Sequence, residues 1–417
     1  MSASPITESA ELQTPAGRPP RHWLPVGLAM FCCGWGGNQF TPLLLMYRRI
    51  GGYSEVTVDA FLGAYVVGLV PGLLVAGSLS DRFGRKPLMI AGTICSLLAS
   101  AVLAAGQLGP APIFAGRFLT GIAVGIAMAV GTSWVKELSQ PPFDLAADRG
   151  SGARRAALTL TLGFGLGAGV AGVLAQWLPL PMILPYAVHV LIVLPAVFVL
   201  LRVPETRAGR PSARGLLADL RVPAVAHRRF LRVILPMAPW VFGAAGVAYA
   251  VAPQLVSAQL GADGLIYATV LTVLTLGAGV LVQPLARRLD STSTARAIII
   301  AMTLMAVGLV LSTTNAAVRS PWLGLVGAIV LGGAYGIAVV SGLLEIQRIA
   351  RPDDLAGLTG VYYALCYLGF LLPTGLAALA PLASYTVMLG VVTVLALGCL
   401  GAIMLASRAH LPATTRS

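Results

Sequence analysis

Charge is what this 417-residue chain has least of: Asp, Glu, Lys and Arg make up 10% of it, against about 25% in a soluble domain. That shortage excludes a soluble protein of ordinary type, whose domains must cover themselves with polar side chains. Acids are scarcer than bases, 15 against 28. The cations nevertheless form no face or arm interleaved with aromatics, so a nucleic-acid partner is not indicated. Cysteine is sparse too, and Cys32, Cys33, Cys95, Cys366 and Cys399 all fall in apolar stretches with neither disulfide nor metal-ligand spacing. No phosphate-binding Gly-Lys loop, nucleophile elbow or metal cluster appears. The chain is therefore not read as an enzyme, no cofactor or metal is expected, and its energy source is an ion gradient or the gradient of its substrate.

What is abundant is apolar sequence, 57% of the residues. It falls into twelve blocks, from Leu24–Met46 to Leu382–Ala406, each long enough to cross about 30 Å of hydrocarbon as a helix. The alternation of a membrane β-barrel is missing. The expected fold is thus an all-α integral membrane protein with twelve transmembrane helices in two six-helix halves. Residues 1–22 read as a disordered cytosolic tail, 23–201 as the first half, 202–232 as a cytosolic linker with a short amphipathic helix around Leu216 to Leu220, 233–407 as the second half and 408–417 as a second cytosolic tail. Of the 28 Lys and Arg residues, 24 lie in the tails and in the gaps on the same side as the tails, while Arg48, Arg49 and Arg319 lie on the opposite side. The positive-inside rule then puts both termini in the cytosol, with the plasma (inner) membrane as the expected location and lipid contacts for the basic linker. One cation remains, Arg117, and it alone sits inside a block.

The halves resemble each other. Gly121, Gly125 and Gly131 of span 4 align with Gly332, Gly336 and Gly342 of span 10, and Leu162-Gly163-Phe164 of span 5 aligns with Leu368-Gly369-Phe370 of span 11. Related halves suit alternating access around a site at their interface. Between spans 2 and 3 the chain reads Gly77-Ser-Leu-Ser-Asp81-Arg82-Phe-Gly84-Arg85-Lys86-Pro87. Gly77 is expected to allow close helix approach, Gly84 a tight turn, and Asp81 to face the positive start of another helix.

This segment resembles the loop 2–3 signature of the major facilitator superfamily, and the two-half pattern extends the resemblance from about residue 24 to 406. The resemblance implies the major facilitator fold and a gate made by Gly77, Asp81, Arg82, Gly84, Arg85, Lys86 and Glu137, with Asp81 clamping the start of span 11 and Glu137 pairing with Arg85. It also implies a cavity lined by spans 1, 4, 7 and 10, with help from 2, 5, 8 and 11. Those spans offer Trp35, Asn38, Gln39, Trp240, Tyr249, Gln254, Tyr335, Tyr362, Tyr363 and Tyr367. Arg117 heads a span 4 pattern similar to one that the family associates with proton coupling, and a cation at that depth is a functional candidate in its own right. Its expected titratable partner is Asp59 at the start of span 2, the nearest acid, though a simple cap is an alternative role there. His189 in span 6 is a second proton-coupling candidate, with packing as its alternative. Glu345 reads as a partner for Arg348. The glycines of span 5 are expected to pack on span 8 near Gly277 and Gly279, and Gly369, Pro373 and Gly375 to kink span 11.

The function implied first is proton-coupled export of small amphipathic or drug-like molecules, resembling twelve-span drug:proton antiporters. The alternative is a proton-coupled uptake permease for an organic anion or other small nutrient. Protons and a small molecule are the expected partners of a monomeric protein.

Overall fold

The computed structural model describes residues 21–147, 151–207, 222–350 and 355–408. The amphipathic helix expected around Leu216 to Leu220, and all but the edges of both tails, lie outside them. Among the described residues every regular element is helical, which satisfies the backbone within each segment where lipid offers no hydrogen-bond partner.

Among the described residues nine stretches are long and apolar enough to cross a membrane. One of these, Phe230–Leu281, has 52 residues, about 78 Å at 1.5 Å per residue and twice what a bilayer needs. It turns back at Gly261, whose φ is +48°, and so supplies spans 7 and 8. Two further helices are shorter. Trp23–Asn38 has 16 residues and continues as Thr41–Leu43 and Leu44–Arg49 to complete span 1, and Leu184–Leu200 has 17 and forms span 6. The remaining spans are Glu55–Phe83 (2), Arg85–Ala104 (3), Pro110–Leu138 (4), Ser151–Trp177 (5), Arg296–Val318 (9), Pro321–Ile349 (10), Gly357–Leu379 (11) and Tyr385–Ala406 (12). Most overrun the apolar blocks seen in sequence by several residues, because a helix does not stop where its composition turns polar.

In the first half, span 2 packs on 4, span 1 on 5, and span 3 on 4. In the second half, 8 packs on 10, 7 on 11, and 9 on 10 and 12. The halves meet where span 5 lies on 8 and, symmetrically, where span 11 lies on 2. One buried cluster runs across this interface, joining Tyr65 and Leu69 to Tyr249, Tyr367 and Phe370.

The glycine repeat explains the matching contacts. A Cβ on Gly121 would collide with the Tyr65 carbonyl of span 2, and one on Gly125 would come within 2.6 Å of the Leu73 amide. In the second half Gly332 and Gly336 press on the carbonyls of Thr275 and Gly279 in span 8. Small residues thus bring two backbones together where lipid supplies no hydrophobic drive for association. Span 5 does so too, but chiefly against span 1: Gly163 meets the Phe31 carbonyl and Gly167 the Trp35 carbonyl, while only Gly169 and Gly172 reach span 8. Gly277, expected in that contact, has nothing within 4 Å among the described residues, and Gly279 instead meets Tyr335 of span 10. Gly77 has nothing within 4 Å among the described residues either, so none of these makes the close approach expected there. Span 11 breaks between Leu355–Leu368 and Leu371–Leu379, at Gly369 rather than at Pro373, where Gly369 presses on the Pro239 carbonyl of span 7.

Replacing Gly121 or Gly336 by Leu should lower the melting temperature of the detergent-solubilised protein, overpacking of this kind costing about 1–3 kcal/mol. Gly165→Ala, at a position with nothing within 4 Å, should leave it unchanged in the same melt.

Candidate functional site

Span 1 stops where its sequence forbids a helix. Pro42 has no N–H and its ring would strike the carbonyl four residues back, so the helix ends at Asn38. The Asn38 side chain fills the gap, accepting from Thr41 Oγ1 at 2.7 Å and donating to the Phe164 carbonyl at 3.2 Å. The same break exposes the Gly37 carbonyl to Arg117. Arg117 Nη1 donates to it at 3.3 Å, and Nε donates at 3.3 Å to the Phe61 carbonyl of span 2. The guanidinium lies between two rings, 4.6 Å from the centroid of Phe40 and 4.5 Å from that of Tyr65. It is 1% exposed. Carbonyls and ring faces are partial charges only, and no carboxylate among the described residues pairs with Arg117 within 4 Å.

Arg117 forms part of the wall of a central cavity of about 50 Å³, far below the 300–1,000 Å³ of a typical ligand pocket. Asn38, Thr41, Tyr65 and Phe164 line it from the first half, and Phe242, Tyr249, Leu276, Tyr335, Tyr367 and Phe370 from the second. Phe242 stacks on Tyr367 at 4.3 Å and on Phe370 at 4.9 Å. Tyr249 is carried on a π-helical turn, Val247–Val251, and a second such turn, Ala127–Gly131, interrupts span 4 below Arg117; single π turns are frequent at functional sites. Asn38, Tyr249, Tyr335 and Tyr367 are thus brought together with Arg117. The other residues read from sequence as cavity-lining stand elsewhere. Trp35 packs edge-on to Phe31, Trp240 lies against the core of the second half, and Tyr362 donates to the Ala338 carbonyl at 3.1 Å with Tyr363 beside it. Phe40, Tyr65, Phe242 and Phe370 went unnoticed in sequence. Their only signal was an aromatic ring within an apolar block, which core packing produces just as well.

Gln39 points away from the cavity into a buried chain. Its Nε2 donates to Ser100 Oγ at 3.0 Å, Ser100 lies 2.7 Å from His189 Nδ1, and His189 Nε2 lies 2.8 Å from the Cys32 carbonyl. These contacts tie spans 1, 3 and 6 together, and among the described residues none of them links His189 to Arg117.

Asp59 does not pair with Arg117. It is fully buried at the interface between the halves, where Gln254 Nε2 of span 7 donates to its Oδ1 at 3.4 Å and Thr374 Oγ1 of span 11 donates to its backbone carbonyl at 2.7 Å. Other contacts join the halves at this end. Arg49 donates to the carbonyls of Gly261 and Ser257, Tyr385 Oη to Glu55 at 3.0 Å, and Gln176 Nε2 to the Ala262 carbonyl at 3.2 Å.

At the opposite end, Arg85 collects Glu137 (3.0 Å), Asp81 (2.9 Å) and Ser80 Oγ (2.7 Å). Gly84, at φ +100°, makes the turn that brings span 3 under span 2. Glu205, after span 6, takes the Arg85 and Lys86 amides at 2.9 Å each and so caps span 3, while Thr206 donates to Glu137 at 2.5 Å. Arg82 lies half-buried at the same end. The half-exposed Asp81 carboxylate also takes Arg207, at 3.2 Å; the start of span 11 near Leu355, expected opposite it, adjoins residues 351–354, which lie outside the described ones. In the adjacent loop Asp144 accepts from Arg155 Nη1 at 2.7 Å, a bond that holds its carboxyl below the usual carboxylate range. The second half builds its ion cluster differently. Glu345 pairs with Arg348, as expected, but also receives a bidentate pair from Arg229 at 2.6 and 2.8 Å, with Arg229 wholly buried. That pair joins positions 116 apart and left no local signal in the sequence.

A family model described as Major Facilitator Superfamily matches residues 26–374. Among curated proteins the chain is 35% identical over 131 residues to a gallate transporter of Pseudomonas putida, covering 30% of this chain and 26% of that one. It is 31% identical over 86 residues to the multidrug resistance protein MdtL of Klebsiella pneumoniae, covering 21% and 22%. These matches span about a quarter of each relative's length. Among solved structures, a mutant form of the nucleoside transporter NupG superposes with a TM-score of 0.73 at 11% identity, over 92% of this chain and 99% of that one.

Arg229 cannot reach water. Glu345→Ala should therefore destabilise the protein by about 3–5 kcal/mol, the penalty for leaving one partner of a buried pair uncompensated, and thermal melting in detergent measures it. The double change Arg229→Met with Glu345→Met should recover most of the loss.

Proposed function

The chain belongs to the major facilitator superfamily, and from that premise we propose that this membrane transporter, which is not an enzyme, carries small aromatic organic anions together with protons. One observation carries the proposal: Arg117, buried and lacking a carboxylate partner among the described residues, stands in the wall of a cavity whose other walls are mostly aromatic. A buried charge without a counter-ion is costly, and it marks a pathway or a ligand site. An aromatic carboxylate supplies what is missing. Its oxygens take the guanidinium's N–H groups, with Nη2 having no acceptor among the described residues, and its ring enters between Tyr65, Phe242 and Tyr367. The cavity must widen several-fold to admit it, which the alternating-access cycle provides by parting the halves.

The similarity to a gallate transporter supports this reading, since gallate is an aromatic carboxylate. Protons enter for an electrostatic reason. Moving one anion into a cell against an inside-negative potential costs about 2.3 kcal/mol per 100 mV, and a co-transported proton cancels that charge. Sequence put export of drug-like molecules first, and similarity to MdtL keeps it as a second reading. Against it stands the cavity itself, whose lining holds one cation and no carboxylate to receive a lipophilic cation.

The test uses purified protein in vesicles carrying an internal pH dye, with benzoate and tetraphenylphosphonium as probes. Benzoate should raise the melting temperature and enter with protons. Arg117→Ala should weaken benzoate binding about ten- to a hundred-fold, the worth of a charge-assisted hydrogen bond, and Arg117→Lys should recover part of it. Binding of tetraphenylphosphonium with outward-directed exchange for protons, and none of benzoate, would replace this reading with the export reading.

A further inference from the structure

Two oxygen atoms face a shortage of donors at the interface between the halves. Asp59 Oδ2 and Gln254 Oε1 are both buried and without a hydrogen-bond partner among the described residues, although the two side chains already share one bond, Gln254 Nε2 to Asp59 Oδ1. An ionised carboxylate can only accept, and a primary amide has one accepting oxygen beside its donors. As an anion Asp59 therefore leaves both Oδ2 and the amide oxygen unsatisfied. A proton on Oδ2 removes both deficits together, because a carboxylic acid and a primary amide form a closed ring of two hydrogen bonds, N–H to one carboxyl oxygen and O–H to the amide oxygen.

No neighbouring charge removes the need for that proton. On its own helix the nearest ionisable group is Glu55, which is itself occupied by Arg48 of span 1 and by Tyr385 of span 12. Arg49 is engaged with the Gly261 and Ser257 carbonyls, and Arg117 of span 4 with those of Gly37 and Phe61. Span 7 presents the neutral Gln254 and span 11 the neutral Thr374. Buried without a paired cation, the carboxylate is costly in this closed arrangement and is relieved only by water or by a proton.

We propose that Asp59 is a proton-binding site that latches the two halves at this end: with a proton it pairs through two hydrogen bonds with Gln254 and holds the end closed, and without it the end opens to water. Thr374 fixes the register by holding the Asp59 backbone carbonyl from span 11. Positive-inside orientation places this end outside the cell, so the proton is taken from the external medium and closure follows its binding. The inference rests on the proton-coupled reading above, but it concerns a group that does not touch the cavity. It can thus fail while the Arg117 anion site stands, or stand while that site fails.

The test needs no substrate. Spin labels on Val56→Cys and Ala258→Cys, both exposed and on opposite halves, report the separation by pulsed electron resonance in nanodiscs, with Cys95 and Cys399 replaced by Ala. The closed-to-open ratio should fall as pH rises, by up to about tenfold per unit through a single-proton transition. Asp59→Asn, a neutral isostere that can still form both bonds, should stay closed across the whole range. Gln254→Leu should open more at every pH and move the transition to lower pH, since it removes the partner of the protonated form. A separation that does not change with pH in the unsubstituted protein would overturn the proposal. So would an Asp59→Asn variant that keeps the same transition. Benzoate binding measured on the same samples reports the Arg117 site separately.

Discussion

A guanidinium buried to 1% exposure must find its charge balance inside the protein, and around Arg117 much of the first half is arranged to provide a partial one. Two carbonyls and two ring faces supply negative potential without supplying an anion. Each of these depends on a local departure from regular structure. The Gly37 carbonyl is available because Pro42 ends the first helix. Phe40 reaches the guanidinium because it lies in the turn that follows that ending. Tyr65 lies beside it because Gly121, one turn below Arg117, lets span 4 touch the backbone of span 2. Any change that straightens span 1 or separates spans 2 and 4 must therefore act on the charge as well as on the packing.

The same glycine logic explains why the two halves look alike while their sites do not. Spans 2 and 4 and their counterparts 8 and 10 are held together by small residues at matching places, which fixes backbone geometry and leaves side chains free to differ. Position 117 carries the cation of the first half. The second half gives the cavity rings and hydroxyls instead, from Tyr249, Tyr335 and Tyr367. The pseudo-symmetric scaffold thus places the cavity's one cation in the first half and most of its rings in the second.

The apolar blocks, the glycine repeat and the Gly77 to Pro87 segment made the architecture legible, because each is a local pattern with a local cause. The uniqueness of Arg117 was legible for the same reason, whereas the pairing of Arg85 with Glu137 was legible only through the family resemblance. What sequence could not supply was azimuth, the direction each residue faces around its helix. Depth alone made Asp59 look like a partner for Arg117, yet it turns toward spans 7 and 11. Gln39 is adjacent to Asn38 in the chain, but it faces Ser100 and His189 while Asn38 faces the cavity. The π turns in spans 4 and 7 deepen the problem, since each adds a residue to a turn and rotates everything beyond it, with no residue type that announces it. Arg229 and Glu345 meet across three intervening spans, and only tertiary structure brings them together.

The distribution of bond types between the two ends implies which parts move. At the end bearing Arg85 and Arg229, the ion pairs among the described residues lie within one half or tie a half to the adjoining linker: Arg85 with Glu137 and Asp81, Arg155 with Asp144, Arg207 with Asp81, Arg229 with Glu345. Such pairs stiffen each half and oppose its internal rearrangement. At the other end the contacts that cross between halves are single hydrogen bonds to neutral acceptors or to a shared carboxylate. Water can replace a bond of that kind with little net change, because the net worth of one is about 1 kcal/mol. Rigid halves joined by replaceable bonds favour rotation of one half against the other over bending within either. The aromatic cluster of Tyr65, Phe242, Tyr367 and Phe370 lies where the halves meet, and its ring contacts have no fixed donor–acceptor geometry to break when one half turns against the other.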